Sequence, residues 1–272
     1  MPNTTVLTIA GFDPSSGAGI TADLMVFAAH GLFGTACITA LTVQNTLGVA
    51  STHMVATDII VDTLDNLHRD LPPAGIKIGM LGNASTVLAV AAFLARIREQ
   101  TPVLVLLDPV LKSSSGKDLL DQEGIGALRK QLLPHVDWIT PNVDELAFLV
   151  NRNLGFSNDL AAAATDLQNL GRELTVVVTG GHLKPPNDLL LQPAGVLQVI
   201  SGQHIETSST HGTGCAYSSA LLSRLVIGDD HIAAAKAAKN YVAEAMRTAV
   251  ARGSGAGPIN HLWPFTHTSQ PR

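Results

Sequence analysis

A chain of 272 residues with 46% hydrophobic and only 14% charged side chains is too apolar to stay disordered and long enough to bury one substantial core. Its 17 Lys and Arg against 22 Asp and Glu leave a formal charge of −5, with no basic run longer than two residues, which excludes a general nucleic-acid binder. Cys37 and Cys215 make neither a disulfide framework nor a Cys/His metal spacing, the longest apolar stretch (Val87–Ala95) is far short of a membrane span, and no signal-peptide pattern opens the chain, so the expectation is a reduced, cytoplasmic protein without a membrane partner.

Strand-length apolar runs alternate with longer helical patterns. Val6–Ala10 reads as a strand before a helix over Ile20–His30, and Ala36–Ala40 as a strand before a helix over Thr57–Leu71. Ile76–Ile78, Val103–Leu107 and Trp138–Ile139 are further strands, followed by helices over Ala84–Arg98, Ile125–Leu133 and Val143–Leu149. A helix over Leu160–Leu170 and a strand over Leu174–Val178 come next. Lys184-Pro185-Pro186-Asn187-Asp188 reads as a turn-rich lid or surface loop. Gly195–Ile200 and His204–Glu206 read as a hairpin turned by Ser201-Gly202-Gln203. Two helices, Cys215–Val226 and His231–Arg252, close the chain; from Gly253 to Arg272 it turns to Gly, Ser, Pro and His, and the tail beyond about residue 261 reads as loose. Most of the strands lack polar alternation, as in a parallel sheet buried on both faces. The pattern predicts an α/β fold with a mostly parallel central sheet and helices on both faces, in one domain without repeats.

In such sheets ligands bind beyond the carboxyl ends of the strands, so the segments that follow the strands carry the candidate chemistry. Gly11-Phe12-Asp13-Pro14-Ser15-Ser16-Gly17-Ala18-Gly19 lets a backbone approach a ligand, but it is neither a P-loop nor a dinucleotide fingerprint and also suits an ordinary tight loop. Thr210-His211-Gly212-Thr213-Gly214-Cys215 puts free N–H groups at a helix start, an anion site that needs no basic side chain. Cys215 there is either a thiol of lowered pKa or a small packing residue. Asp108 and Glu145 follow two strands and suit Mg²⁺, partly through water. Asn142 and Glu145 also have capping-box spacing. Gln44 offers a donor and an acceptor to an aminated heteroaromatic ring, and Met80 a flat apolar wall or plain core packing.

Together these segments resemble the hydroxymethylpyrimidine/phosphomethylpyrimidine kinases of thiamine biosynthesis, in the ribokinase-like superfamily. The resemblance rests on Ala10–Ile20 with Ala22-Asp23-Leu24, Thr39–Thr46, Lys77–Leu81, Asp108-Pro109-Val110, Thr140-Pro141-Asn142 with Glu145, Gly180-Gly181-His182, His211–Cys215 and Gly253–His261. These run in the family's order from Val6 to about His261. It implies ATP- and Mg²⁺-dependent phosphorylation of 4-amino-5-hydroxymethyl-2-methylpyrimidine to the monophosphate and then the diphosphate. It also implies pyrimidine contacts from Gly11, Asp23, Gln44 and Met80, and Cys215 in the place of the superfamily's usual aspartate base. Gly212, Thr213 and Gly214 would form the anion hole, Asp108 and Glu145 would hold the metal, and Lys112, Asn142, Glu145, Thr179 and Gly181 would lie on the nucleotide side. A homodimer is the implied assembly, and a monovalent cation is a further cofactor candidate. Pyridoxal kinase of the same fold and a non-catalytic pyrimidine-binding module are the alternatives.

One position departs from the family: Thr179 stands where a lysine usually precedes Gly-Gly-His. Neutralising the nucleotide then falls to Mg²⁺, the helix start and Lys112 or Lys184. A monoester phosphate is already largely ionised at neutral pH whereas a hydroxyl is not, so Cys215 is expected to matter more in the first transfer than in the second.

Overall fold

The computed structural model describes residues 4–113, 116–154, 159–181 and 183–266. In chain order it contains β1 (Thr5–Phe12), α1 (Gly19–Ala29), β2 (Phe33–Asn45), β3 (Gly48–Met54), α2 (Thr57–Asp70), β4 (Gly75–Ile78), α3 (Ala84–Arg98), β5 (Leu104–Leu107) and α4 (Gln122–Ala127). A π segment and a 3-10 turn continue α4 to His135. Then come β6 (Trp138–Ile139), α5 (Val143–Val150), α6 (Leu160–Gln168), β7 (Thr175–Val178), β8 (Asp188–Leu191), β9 (Leu197–Ile200), β10 (Ser209–His211), α7 (Thr213–Ile227), α8 (His231–Arg247), β11 (Gly257–Pro258) and α9 (Trp263–Thr266).

Nine strands form one sheet in the order β3-β2-β1-β4-β5-β6-β7-β8-β9. The six from β2 to β7 run parallel, and β3, β8 and β9 run antiparallel to their neighbours. The uninterrupted apolar runs of β5 (Leu104–Leu107) and of Val176–Val178 in β7 need cover on both faces. Residues of α1, α7 and α8 pack with Val6, Leu106 and Val177 on one side. Those of α2, α3, α5 and α6 pack with Ile76, Val105 and Val176 on the other. The parallel strands all end at one edge of the sheet, so the loops that follow them converge there.

Several expectations are corrected. β2 runs on to Asn45 and turns into β3 as a ribbon beyond the core, so Thr42–Thr46 is mostly strand. Along it Leu41, Val43 and Asn45 are exposed while Thr42 and Gln44 are half-buried. Asp188 opens β8, whose Leu190 and Leu191 are buried. β9 pairs with β8 and not with His204–Glu206: the apolar β8 offers a sheet partner, whereas two polar residues flank Ile205. α8 stops at Arg247 rather than Arg252: the Ala245 carbonyl accepts from the Asn260 backbone amide in place of Ala249, whose amide turns to the Met246 carbonyl. The core reaches past 261: β11 pairs with β10, Ile259 and His261 are buried, and α9 carries the start of the expected tail to Thr266. Residues 267–272 of the expected tail, Ser114, Ser115 and His182 lie outside the described residues.

Candidate active site

A cleft of about 1240 Å³ opens at the converging strand ends. Gly11, Gln44 and Met80 line one side, and Gly212, Thr213, Gly214 and Cys215 the middle. Asp108, Asn142, Glu145, Thr179, Gly181 and Lys112 line the other. A Cβ on Gly11 would stand 3.0 Å from the Met80 sulfur, so the glycine keeps the thioether wall open. Met80 is held by its carbonyl, which accepts from the Thr39 hydroxyl at 2.6 Å.

The first and last glycine-rich loops are fastened to each other. Asp13 accepts from the amides of Ser15, Gly17 and Ala18 and from the Ser15 hydroxyl, which folds its own loop around one carboxylate. The same carboxylate takes His211 Nε2 at 2.7 Å. His261 Nε2 donates to the Gly17 carbonyl at 2.8 Å. A Cβ on Gly212 would come 1.7 Å from that carbonyl oxygen, and Gly212 has φ +87, so neither the contact nor the backbone admits a side chain there. Burial alone would raise the Asp13 pKa, but the bonds from His211 and Ser15 outweigh it and bring the value to about 2.

Cys215 sits in the first turn of α7, partly open to the cleft. Its thiol is pushed up to about 12, by burial first and then by Asp108 and Asp23, against the opposing pull of Lys77. The expectation of a lowered pKa is therefore reversed: burial and two carboxylates outweigh a helix end and one ammonium. The Gly19 amide still donates to the sulfur.

Beneath Cys215 lies a charge cluster that the sequence did not disclose. Lys77, fully buried on β4, places Nζ 3.0 Å from both Asp23 oxygens and 3.8 Å from Asp108. Asp23 also accepts from the hydroxyls of Thr8 and Ser219. It has no exposed surface and lies off the cleft wall, so the structure makes it the counter-ion of Lys77 rather than a ligand contact. The available signal was a lone lysine inside the apolar run Ile76-Lys77-Ile78, since a buried charge needs a partner.

Asn142 and Glu145 form the capping box at the start of α5, with reciprocal bonds of 2.9 and 2.8 Å. The Glu145 carboxyl is pushed up to about 8 by burial and by the negative charge of Asp108. Burial raises Asp108 as well, against Lys77. Two buried carboxylates that repel across one wall suit a bound cation. Two carboxylates on one wall leave the rest of a cation's coordination to water and phosphate, a donor set that Mg²⁺ accepts.

Thr179 lines the cleft, its amide bonded to the Pro141 carbonyl at 2.8 Å. The Lys and Arg side chains on the wall are Lys77, Lys112, Lys239 and Arg247, and Lys184 is not among them. Lys112 pairs with exposed Asp118 at 3.4 Å, and Lys239 with buried Asp188 at 2.6 Å. The sequence singled out neither Lys239 nor the Asp13–His211 pair, whose members stand 198 positions apart.

Residues 13–260 match the phosphomethylpyrimidine kinase family model. The hydroxymethylpyrimidine/phosphomethylpyrimidine kinase of Haemophilus influenzae is 38% identical over 96% of this chain and 97% of its own length. The thiamine biosynthesis bifunctional protein of Geobacter sulfurreducens is 37% identical over 96% of this chain, which spans 53% of that longer protein. An ADP complex of Bacillus subtilis pyridoxal kinase superposes with a TM-score of 0.86 at 30% identity, over 97% of this chain and 99% of the other.

Proposed function

The chain belongs to the phosphomethylpyrimidine kinase family, and from that premise we propose its reaction. It transfers the γ-phosphoryl group of ATP to the hydroxymethyl group of 4-amino-5-hydroxymethyl-2-methylpyrimidine. It then transfers a second phosphoryl group to the monophosphate, which gives the diphosphate for thiamine biosynthesis. The observation that carries this reading is the 2.7 Å bond between Asp13 and His211, with the close approach of Gly212 to the Gly17 carbonyl, which fixes the acceptor loop against the anion loop. Phosphoryl transfer depends mainly on such positioning and on electrostatic stabilisation.

Gln44 recognises the ring's amino group and adjacent nitrogen, and Gly11 and Met80 receive its flat face. The amides of Gly212, Thr213 and Gly214, with the start of α7, hold the transferred phosphoryl group. Cys215 takes the hydroxyl proton in the first transfer as the thiolate, after its own thiol proton has passed to solvent, with Lys77 as the compensating cation for that state. Asp108 and Glu145 would hold Mg²⁺, which neutralises the nucleotide's phosphates when bound. Lys112, whose partner Asp118 is exposed, is free to turn to the nucleotide beside Asn142, Thr179 and Gly181. A monovalent cation has one candidate oxygen in the buried Thr140 hydroxyl, which lacks a hydrogen-bond partner and lies one strand over from Asp108. We read the chain as one catalytic domain of a cytoplasmic homodimer. The exposed Leu41, Val43 and Leu47 of the β2–β3 ribbon support the dimer.

The test is an ATP-consumption assay with the hydroxymethylpyrimidine, its monophosphate and pyridoxal, on the wild type and Cys215→Ala. Both pyrimidines should be consumed well and pyridoxal poorly, and the variant should lose more in the first transfer than in the second. Pyridoxal as the preferred acceptor would establish the alternative that the pyridoxal kinase likeness suggests. Binding of the pyrimidine without ATP turnover would establish a binding module. Equal losses in the two steps would remove Cys215 as base.

A further inference from the structure

We propose that His211, oriented by Asp13, is the binding site for the acceptor's own phosphate in the second transfer, where the acceptor is a phosphate monoester dianion. This rests on the two-step reading above. A cleft that accepts first a neutral alcohol and then its monophosphate must accommodate about −1.5 to −2 charges at the acceptor. The anion hole at Gly212–Gly214 is meanwhile taken by the phosphoryl group in transit. The Lys and Arg side chains on the wall already face carboxylates: Lys77 faces Asp23, Lys112 Asp118, Lys239 Asp188 and Arg247 Glu244. Lys112, with the loosest of these partners, sits across the cleft on the nucleotide side.

His211 stands where the second phosphate must go. It directly precedes Gly212, and its ring packs on Gly17, where an added Cβ would lie 2.1 Å from the ring's Cδ2. It therefore lies between the loop that follows Gly11 and the loop that holds the transferred group. The carboxylate of Asp13, held ionised, only accepts, so Nε2 carries the proton of their 2.7 Å bond. That leaves Nδ1 as the ring's other polar atom. It has no hydrogen-bond partner among the described residues and is not among the buried unpartnered atoms. The side chain is 16% exposed and belongs to the cleft wall. With a proton on each nitrogen the ring presents Nδ1–H to a phosphate oxygen while Nε2–H stays on Asp13. Besides Asp13, the titratable neighbour is His261, which is tied to the Gly17 carbonyl.

The test compares the wild type with His211→Gln, which can still donate to Asp13 but offers no cationic ring, and with Asp13→Asn. The readout is the ratio of KM for the monophosphate to KM for the hydroxymethylpyrimidine at saturating Mg-ATP. A lost charged hydrogen bond should raise that ratio about tenfold or more in His211→Gln. Asp13→Asn should raise it in the same direction by less. Calorimetric titration with each pyrimidine in the absence of ATP gives a readout independent of turnover: affinity for the monophosphate should fall by a similar factor relative to the hydroxymethyl compound. Equal loss for both acceptors would assign the pair to loop fastening alone, and a larger loss for the hydroxymethyl acceptor would make the ring a base. Either result overturns the proposal while the two-step reading stands. A wild type that leaves the monophosphate unconsumed would instead overturn that reading.

Discussion

At the scale of the residue, the departure at position 179 carries the sharpest energetic question. On the proposed reading a threonine there leaves the nucleotide side of the cleft short of a cation, since Lys184 lies off the wall. Thr179→Lys should lower KM for ATP by about tenfold, the size of one charge-assisted hydrogen bond, as measured by initial rates at saturating pyrimidine. An unchanged KM would mean that the existing charges already suffice. Position 179 was readable from the sequence because it lies beside Gly180-Gly181 at a strand end. Cys215 was readable as a position but not as a chemical state. Its thiol goes up, through burial first and then because Asp108 and Asp23 reach it from other elements, and sequence spacing discloses neither the burial nor the fields of residues far along the chain.

At the scale of the element, the start of α5 combines structure and charge. Glu145 completes a capping box and also repels Asp108. Its pKa is raised from 4.5 in the unfolded reference to about 8 in the fold. The native state thus binds more protons than the unfolded chain between those values, and ligand-free stability falls as pH rises through that window. Thermal unfolding should show Glu145→Gln close to wild type at pH 5 and more stable than wild type at pH 9. Mg²⁺ with nucleotide should narrow the gap at pH 9; a pH-independent difference would contradict the assignment. The capping box was legible, since Asn-x-x-Glu before an apolar run is a local signal. The β2–β3 ribbon was not. Its Thr42 and Gln44 look like loop polarity, but they are the cleft-facing half of a strand whose other half, Leu41 and Val43, lies exposed.

At the scale of the whole molecule, that ribbon is the surface that asks for a partner. Leu41, Val43 and Leu47 are 48%, 53% and 70% exposed. This group of apolar side chains, on the outer face of β2 and in its turn, is where the proposed dimer would form. Sedimentation of the wild type should give a dimer, and Leu41→Glu with Val43→Glu should shift it toward monomer. These positions face away from Gln44, so the change leaves the cleft side of the strand alone. A wild type that sediments as a monomer would refute the assembly.

By itself the sequence determined the α/β class, the mostly parallel sheet, the strand-end placement of the Gly11, Met80, Asp108 and Asn142 segments, and the helix start at Gly212–Cys215. These follow from local periodicity, from turn residues and from the rule that parallel strands end together. Only the tertiary structure decided that Asp23 faces inward to Lys77, that β9 joins β8, that Gly253–His261 returns to clamp Gly17, and that Asp13 meets His211. Each of these joins residues far apart in the chain. What selects them is the cost of leaving a charge, a carbonyl or a strand edge unpaired in the packed interior, and that cost exists only once the chain has folded.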